Sequence, residues 1–182
     1  MTKLIGRVSG SPWLDDRLFY HLNLEVQRLS GTTDSIPVLV HNSIMVDAID
    51  NDCIMVDGSF CSHNKKRADK VHLMLYVLAS SISIVDYQQH FNHCSLDGFV
   101  CKSPIFRTTP KGRCITDVMV AVNRLEHHSD YIPCVFWDAN SYAASQLSIG
   151  DHIRITGRIQ SREYIKNDVS HTAYELSVDS FS

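Results

Sequence analysis

Residues 26–37 (V-Q-R-L-S-G-T-T-D-S-I-P) and 122–133 (V-N-R-L-E-H-H-S-D-Y-I-P) agree at six of twelve positions without a gap. An internal repeat constrains the fold more than any local propensity, because one architecture must satisfy both copies. Further matches flank that block. L-I-G-R-V-S-G-S-P at 4–12 recurs as L-D-G-F-V-C-K-S-P at 96–104, and V-D-G-S-F-C-S at 56–62 recurs as I-T-G-R-I-Q-S at 155–161. The order is kept while the spacing lengthens along the chain, so the length changes fall between matched segments, where loops absorb them. The 182 residues therefore read as two copies of one small domain of roughly ninety residues each, near the lower end of self-sufficient domains. The expected boundaries are 1–87 for the first domain, 88–95 for a linker and 96–182 for the second domain.

Composition excludes several classes. A hydrophobic content of 44% with 20% charged residues describes a globular chain. No run approaches the ~20 apolar residues that span a bilayer, and M-T-K-L-I-G-R-V at the start carries no signal-like stretch. A cytoplasmic, nucleoid-associated chain with six reduced cysteines is expected, with no membrane partner. There is no C-x-x-C, so a structural zinc site is not expected. H-F-N-H-C at 90–94 reads as polar linker, and Asp47, Asp50 and Asp52 as a polar turn. No Walker loop, G-x-S-x-G or H-E-x-x-H occurs, so neither an enzyme nor a cofactor is expected. At a net charge of −3, a nucleic-acid partner would have to be held by a local patch.

The second copy gives the clearer architecture. Segment 96–101 alternates loosely and ends at the turn Ser103-Pro104, and R-T-T-P-K-G at 107–112 is a second turn. Residues 114–123 carry Val118, Val120 and Val122 at period two, and 131–138 carry Ile132, Cys134 and Phe136 on one face. A-N-S-Y-A-A-S-Q-L at 139–147 suits a short helix stopped by Gly150. Segment 151–160 puts Ile153, Ile155 and Ile159 inward, and 172–181 closes the set. Five strands with a short helix between the third and fourth are the pattern of an OB-fold barrel. The fold class is thus all-β: two tandem OB-fold five-stranded barrels, the helix clearer in the second.

The face of strand 131–138 that should meet water carries Tyr131, Pro133, Val135 and Trp137. Large rings left in water do nothing for stability and call for a partner. The neighbouring polar face carries Arg154, Thr156, Arg158 and Gln160, followed by Arg162 and Tyr164 at the start of the last loop. Rings beside arginines on an exposed sheet match single-stranded nucleic acid: bases stack, each contributing roughly 1–3 kcal/mol, while cations follow the phosphates. The alternative for Tyr131 and Trp137 is packing against the other copy or another subunit.

Through L-D-G-F-V-C-K-S-P, R-T-T-P-K-G, A-V-N-R, D-Y-I-P-C-V-F-W and G-R-I-Q-S-R-E-Y, in that order and spacing, the second copy resembles the bacterial single-stranded DNA-binding protein family over about residues 93–182. The resemblance implies an OB barrel, binding of single-stranded DNA with little sequence preference, and no enzymatic activity. It places stacking aromatics at Tyr131, Trp137 and Tyr164, and basic positions at Arg124 and Arg162. A family aromatic in the loop after A-V-N-R has no counterpart, since His127 and His128 stand there. The chain ends at V-D-S-F-S without the family's acidic tail, so recruitment by such a tail is not expected. Two-domain members pair as dimers presenting four OB domains, and a homodimer is expected here, with replication or primosome proteins as further partners. Primosomal replication protein N, a tailless relative, supplies an alternative reading, and an OB-fold interaction scaffold is a third.

The first copy keeps the core at Ile36, Val38 and Val40 but replaces Tyr131 by Ser35, Trp137 by His41 and Tyr164 by Lys65. Lys65, Lys66, Arg67 and Lys70 lie in what reads as the loop before its last strand, either solvated or adding phosphate contacts without stacking. With Lys111 in the 107–112 turn, the candidate DNA-binding set is Tyr131, Trp137, Tyr164, Arg124, Arg154, Arg158, Arg162, Lys111, Lys65, Lys66 and Arg67. The expected chain is asymmetric, with stacking confined to the second domain.

Overall fold

The computed structural model describes residues 1–67, 70–86, 89–124, 128–166 and 168–182. It divides into two compact units. Unit 1 comprises Met1–Cys61, Leu75–Cys94 and Ile159–Tyr174; unit 2 comprises Ser62–Met74, Ser95–Arg158 and Glu175–Ser182.

Unit 1 is built on β1 (Thr2–Leu14), β2 (Phe19–Gln27), β3 (Thr33–His41), β4 (Cys53–Arg67) and β5 (Lys70–Ile84). β1 pairs antiparallel with both β2 and β4, β2 pairs antiparallel with β3, and β3 runs parallel to β5, which lies beside β4. The ring closes, which leaves no free edge within it. Period-two alternation drives the closure. Leu22, Leu24 and Val26 on β2 and Ile36, Val38 and Val40 on β3 all turn inward and are buried. In place of the expected helix, a single 3₁₀ turn, Asn42–Ile44, follows β3.

Unit 2 repeats the plan with β6 (Phe91–Val100), β8 (Cys114–Asn123), β9 (Ser129–Trp137), β10 (His152–Lys166) and β11 (Val169–Phe181). β6 and β8 pair antiparallel, as do β8 and β9, and β9 is parallel to β11. Val118, Val120, Ile132, Cys134, Phe136, Ile153, Ile155 and Ile159 are buried as their alternation requires, whereas Val122 is only half-buried. The helix α1 spans Ala139–Ala144 and is shorter than the stretch expected, ending at Ser145 before Gly150 is reached. An additional short strand, β7 (Ile105–Thr108), pairs with β8 where only turn was expected. Both repeats are OB barrels, as the alternation implied, and the second carries its helix where expected.

Two repeated glycines have a direct steric cause. A Cβ on Gly98 would lie 2.5 Å from the Ala121 carbonyl oxygen, and one on Gly157 would lie 2.3 Å from that of Ser177. Their counterparts Gly6 and Gly58 would meet the carbonyls of Glu25 and Leu78 at 2.4 and 2.2 Å. The barrel strands coil so closely at these points that only hydrogen fits.

The compact units do not follow the sequence boundaries 1–87, 88–95 and 96–182. From Phe91 onward the expected linker is already strand β6, with His93 opposite Lys3 and Cys94 opposite Thr2. The segments expected as loops before each last strand are long strands: β4 continues to Arg67 and β10 to Lys166. Each compact unit therefore takes in a hairpin tip encoded in the other repeat.

The repeated R…D-x-I-P letters explain how those tips are held. In unit 1, Asp34 is fully buried; its carboxylate accepts from the Arg28 guanidinium (2.6 and 2.8 Å) and from the Ser161 N–H at 2.7 Å. The Ser161 hydroxyl in turn accepts from the Ser35 N–H at 3.1 Å. In unit 2, Asp130 accepts from Arg124 and from the Ser62 N–H, and the Ser62 hydroxyl accepts from the Tyr131 N–H at 2.7 Å. A buried carboxylate is tolerated only when its lone pairs are so filled. Ser62 and Ser161 are themselves matched positions of the repeat.

Candidate nucleic-acid interface

In unit 2 the water-facing residues of β9 form the floor of the candidate site. Alternation from the buried Ile132, Cys134 and Phe136 turns Tyr131, Pro133 and Trp137 outward, while Val135, on the same side, is covered. Tyr131 is 42% exposed. Trp137 is half-buried: its indole N–H donates to the Ser177 hydroxyl at 3.0 Å, and the Arg113 guanidinium lies 4.5 Å from its ring centroid. Arg113 is held there by Asp138 at 2.7 Å. The hydrogen bond and the cation–π contact fix the indole's orientation.

Phe99 is a residue the sequence reading missed. It stands opposite Ala121, which stands opposite Tyr131, so one row across β6, β8 and β9 reads Phe-Ala-Tyr. Residues so paired share a face, and two strand spacings amount to about 10 Å. Phe99 is as exposed as Tyr131, and Ala121 between them is too short to fill the gap. The signal was present in L-D-G-F-V, where alternation from the buried Leu96 and Val100 sends Phe99 outward. The repeat hid it, because the matching first-copy residue is Arg7.

Most candidate arginines of unit 2 are held by carboxylates. Arg124 is bound to Asp130 in the hairpin latch. Arg154 pairs with Asp97 at 3.0 Å, beside His152, whose ring lies 5.0 Å from that of Phe99. Arg158 pairs with Asp179 at 2.9 Å, and Arg107 pairs with Asp117. Hydrogen bonds from His152 and then Arg154 hold the Asp97 carboxyl below its ordinary range, and the bond from Arg113 does the same to Asp138. Lys111, in the turn after β7, is exposed, as are Lys65 and Lys66 on β4. None of these three lysines pairs with a carboxylate among the described residues. The side chains of Arg67 and Lys70, and residue His127, lie outside the described residues.

Tyr164 belongs to unit 1, because β10 carries it past Arg158 into the hairpin tip. There it is 38% exposed, stacks on His171 at 5.4 Å and sits under the Arg162 guanidinium at 5.9 Å. The other notable ring of unit 1 is Trp13, 57% exposed and stacked on His21 at 3.9 Å. Asp15 holds that histidine at 2.9 Å, and the His21 hydrogen bond lowers the Asp15 pKa. His41, at the place of Trp137, hydrogen-bonds the Ser43 hydroxyl at 2.8 Å. Asp50 and Asp52 accept backbone N–H groups from Gly10 and Ile49, as turn carboxylates do. Cys94, of the H-F-N-H-C stretch, is buried and receives a hydrogen bond from Thr2. No helix among the described residues is long and apolar enough to cross a membrane.

Two OB barrels with exposed rings beside ordered cations define the class: OB-fold modules, a fold whose sheet face and loops take oligonucleotides or oligosaccharides. Comparison with known proteins makes the assignment specific. The model of the Single-strand binding protein family matches residues 91–182, just over half of the chain, and the chain belongs to that family. Single-stranded DNA-binding protein 2 of Listeria innocua is 36% identical over 84 residues, covering 42% of this chain and 53% of that protein. The single-stranded DNA-binding protein of Halalkalibacterium halodurans is 33% identical over 84 residues, covering 42% and 50%. The chain spans about half the length of these curated relatives. Among solved structures, a deletion variant of the single-stranded DNA binding protein from Thermus aquaticus superposes with a TM-score of 0.78 at 19% identity, covering 100% of this chain and 92% of that one. The wild-type protein gives 0.76 at 17% identity, covering 100% and 90%. At such identity the likeness concerns the fold, and it extends across both barrels.

Proposed function

We infer that this chain binds single-stranded DNA with little sequence preference, protecting it during replication, recombination or repair, and that it is a binding module without catalysis. The observation that carries the reading is the outward β9 face, where Tyr131 lies exposed in one row with Phe99, and Trp137 is oriented by Ser177 and Arg113. Stacking on such rings is blind to base identity, which gives affinity without sequence preference. Membership of the Single-strand binding protein family supports it. In the same reading Lys111, Arg154 and Arg158 exchange their carboxylate partners or solvent for the phosphates of the bound strand. Two such chains would pair as a homodimer with four OB domains on nucleoid DNA, where replication or primosome proteins are the fitting partners.

Titration of oligo(dT) into Tyr131→Ala and Trp137→Ala variants tests the site. Each is expected to lose about 1–3 kcal/mol of binding free energy, the contribution of one stacked base. Wild-type affinity in both variants would remove the β9 face from the binding surface.

A further inference from the structure

We propose that Trp13 gives the first barrel a base-stacking site of its own, at a position where the second barrel has isoleucine, so that unit 1 also takes a nucleobase of single-stranded DNA. The inference rests on the single-stranded DNA reading above and assigns a contact outside the β9 face. Trp13 stands opposite His21, and His21 stands opposite Leu39, so one row across β1, β2 and β3 reads Trp-His-Leu. The matching row of unit 2 reads Ile105-Asp117-Val135 across β7, β8 and β9. Val135 is on the side of β9 that carries Tyr131 and Trp137, so Trp13 lies on the corresponding side of its own barrel. The ring that β3 lacks, where His41 replaces Trp137, is thus present on β1.

The geometry is that of a platform set before a ligand arrives. The Trp13 and His21 rings are 3.9 Å apart with 6° between their planes, and Asp15 holds the imidazole at 2.9 Å. His21 covers one face of the indole. The other face points away from β2 and β3, and Trp13 is 57% exposed. β4 pairs with β1 over Thr2–Arg7 and β6 over Thr2–Ile5, so among the described residues no strand flanks Trp13 on its open side. A base laid there completes a stack of base, indole and imidazole. A ring already fixed loses little freedom on binding, so more of the stacking energy appears as affinity. The turn that follows, Asp15–Leu18, suits a base more than a phosphate. Asp15 commits its carboxylate to His21 and to the Arg17 and Phe19 N–H groups, while Asp16 and Arg17, both exposed, offset each other in charge.

The chain has two tryptophans, Trp13 and Trp137. A Trp137→Phe chain therefore reports from Trp13 alone, and a Trp13→Phe chain from Trp137 alone. Oligo(dT) of about 35 nucleotides, enough for two barrels at up to ~16 nucleotides each, is titrated into both while emission is followed. Quenching of Trp13 as well as of Trp137 is the expected result. In the otherwise unaltered chain, Trp13→Ala should weaken binding roughly 5- to 100-fold, the equivalent of one stacked base. Trp13→Leu, which keeps apolar bulk without a ring, should weaken it as much. If Trp137 is quenched while Trp13 emission stays constant, or if Trp13→Ala or Trp13→Leu binds like the wild type, the Trp13 site is refuted and DNA binding by unit 2 stands. If neither tryptophan responds to oligo(dT), the underlying reading fails, and the Trp13 site with it.

Discussion

Strand β3 of unit 1 and strand β9 of unit 2 are the same strand of the same barrel with different water-facing residues. Inward, Ile36, Val38 and Val40 correspond to Ile132, Cys134 and Phe136, and all six are buried. Outward, β3 carries Ser35, Pro37, Leu39 and His41, where β9 carries Tyr131, Pro133, Val135 and Trp137. The frame around each strand is common to both copies: a buried aspartate bound to an arginine six residues before it, a serine delivered by a hairpin tip, and glycines where strands approach too closely for a Cβ. The difference teaches that the repeated residues specify how a barrel closes and holds a hairpin, while the binding chemistry sits where the copies diverge.

The largest effects should come from the shared frame. Asp130→Ala removes the acceptor for Arg124 and for the Ser62 N–H. The expected destabilisation is about 3 kcal/mol, the low end for breaking a buried pair, because Arg124 remains one-third exposed to water. Asp34→Ala should cost a similar amount, and urea unfolding of the two variants compares the latches directly. A mild loss in one and a severe loss in the other would show that the two frames are not equivalent. Next come the glycines. Gly157→Ala and Gly58→Ala each push a methyl into a backbone carbonyl, and about 1–3 kcal/mol of stability should be lost in either copy.

Smaller effects should separate the two faces. Phe99→Ala should weaken oligo(dT) binding by about 1 kcal/mol, the lower end for a stacked base, whereas His41→Ala should leave affinity unchanged. Equal losses from the two would erase the asymmetry. The smallest effect concerns Asp97, whose first-copy counterpart is the uncharged Ile5. Its folded pKa is depressed below 3.8, first by the His152 hydrogen bond and then by Arg154. A depressed carboxyl contributes stability that is present above its unfolded pKa of about 3.9 and lost as pH falls through the folded value. The acid limb of unit 2 should therefore show a loss below about pH 4 that Arg154→Gln moves upward. Following the Asp97 carboxyl by NMR through an acid titration measures it, and a midpoint unmoved by Arg154→Gln would remove Arg154 as a cause.

Much of the fold was legible because it depends on alternation, which one strand displays alone. The period-two valines and isoleucines of β8 and β10 marked barrel strands, and the repeat supplied the second barrel. The hairpin tips were not legible. S-H-N-K-K-R is polar on both faces and S-R-E-Y-I-K has no buried apolar alternation, as solvated loops have none, and only the partners of Ser62 and Ser161 reveal them as strands seated by a latch. That is why the unit to which Tyr164 belongs was not legible. The partner of Arg124 was not legible either, because a basic residue carries no mark of it; Asp130, six residues on, engages it. Phe99 was visible in its alternation and was passed over because the motif containing it served to mark the repeat.

The central claim is that DNA stacks on the outward face of β9 and not on that of β3. It is tested most directly by irradiating the full chain bound to 5-iodouridine-substituted oligo(dT) and mapping the attached peptides by mass spectrometry. Attachment at Tyr131 and Trp137, with none across Ser35–His41, is the predicted result. Attachment on β3 with β9 unmodified would contradict the account.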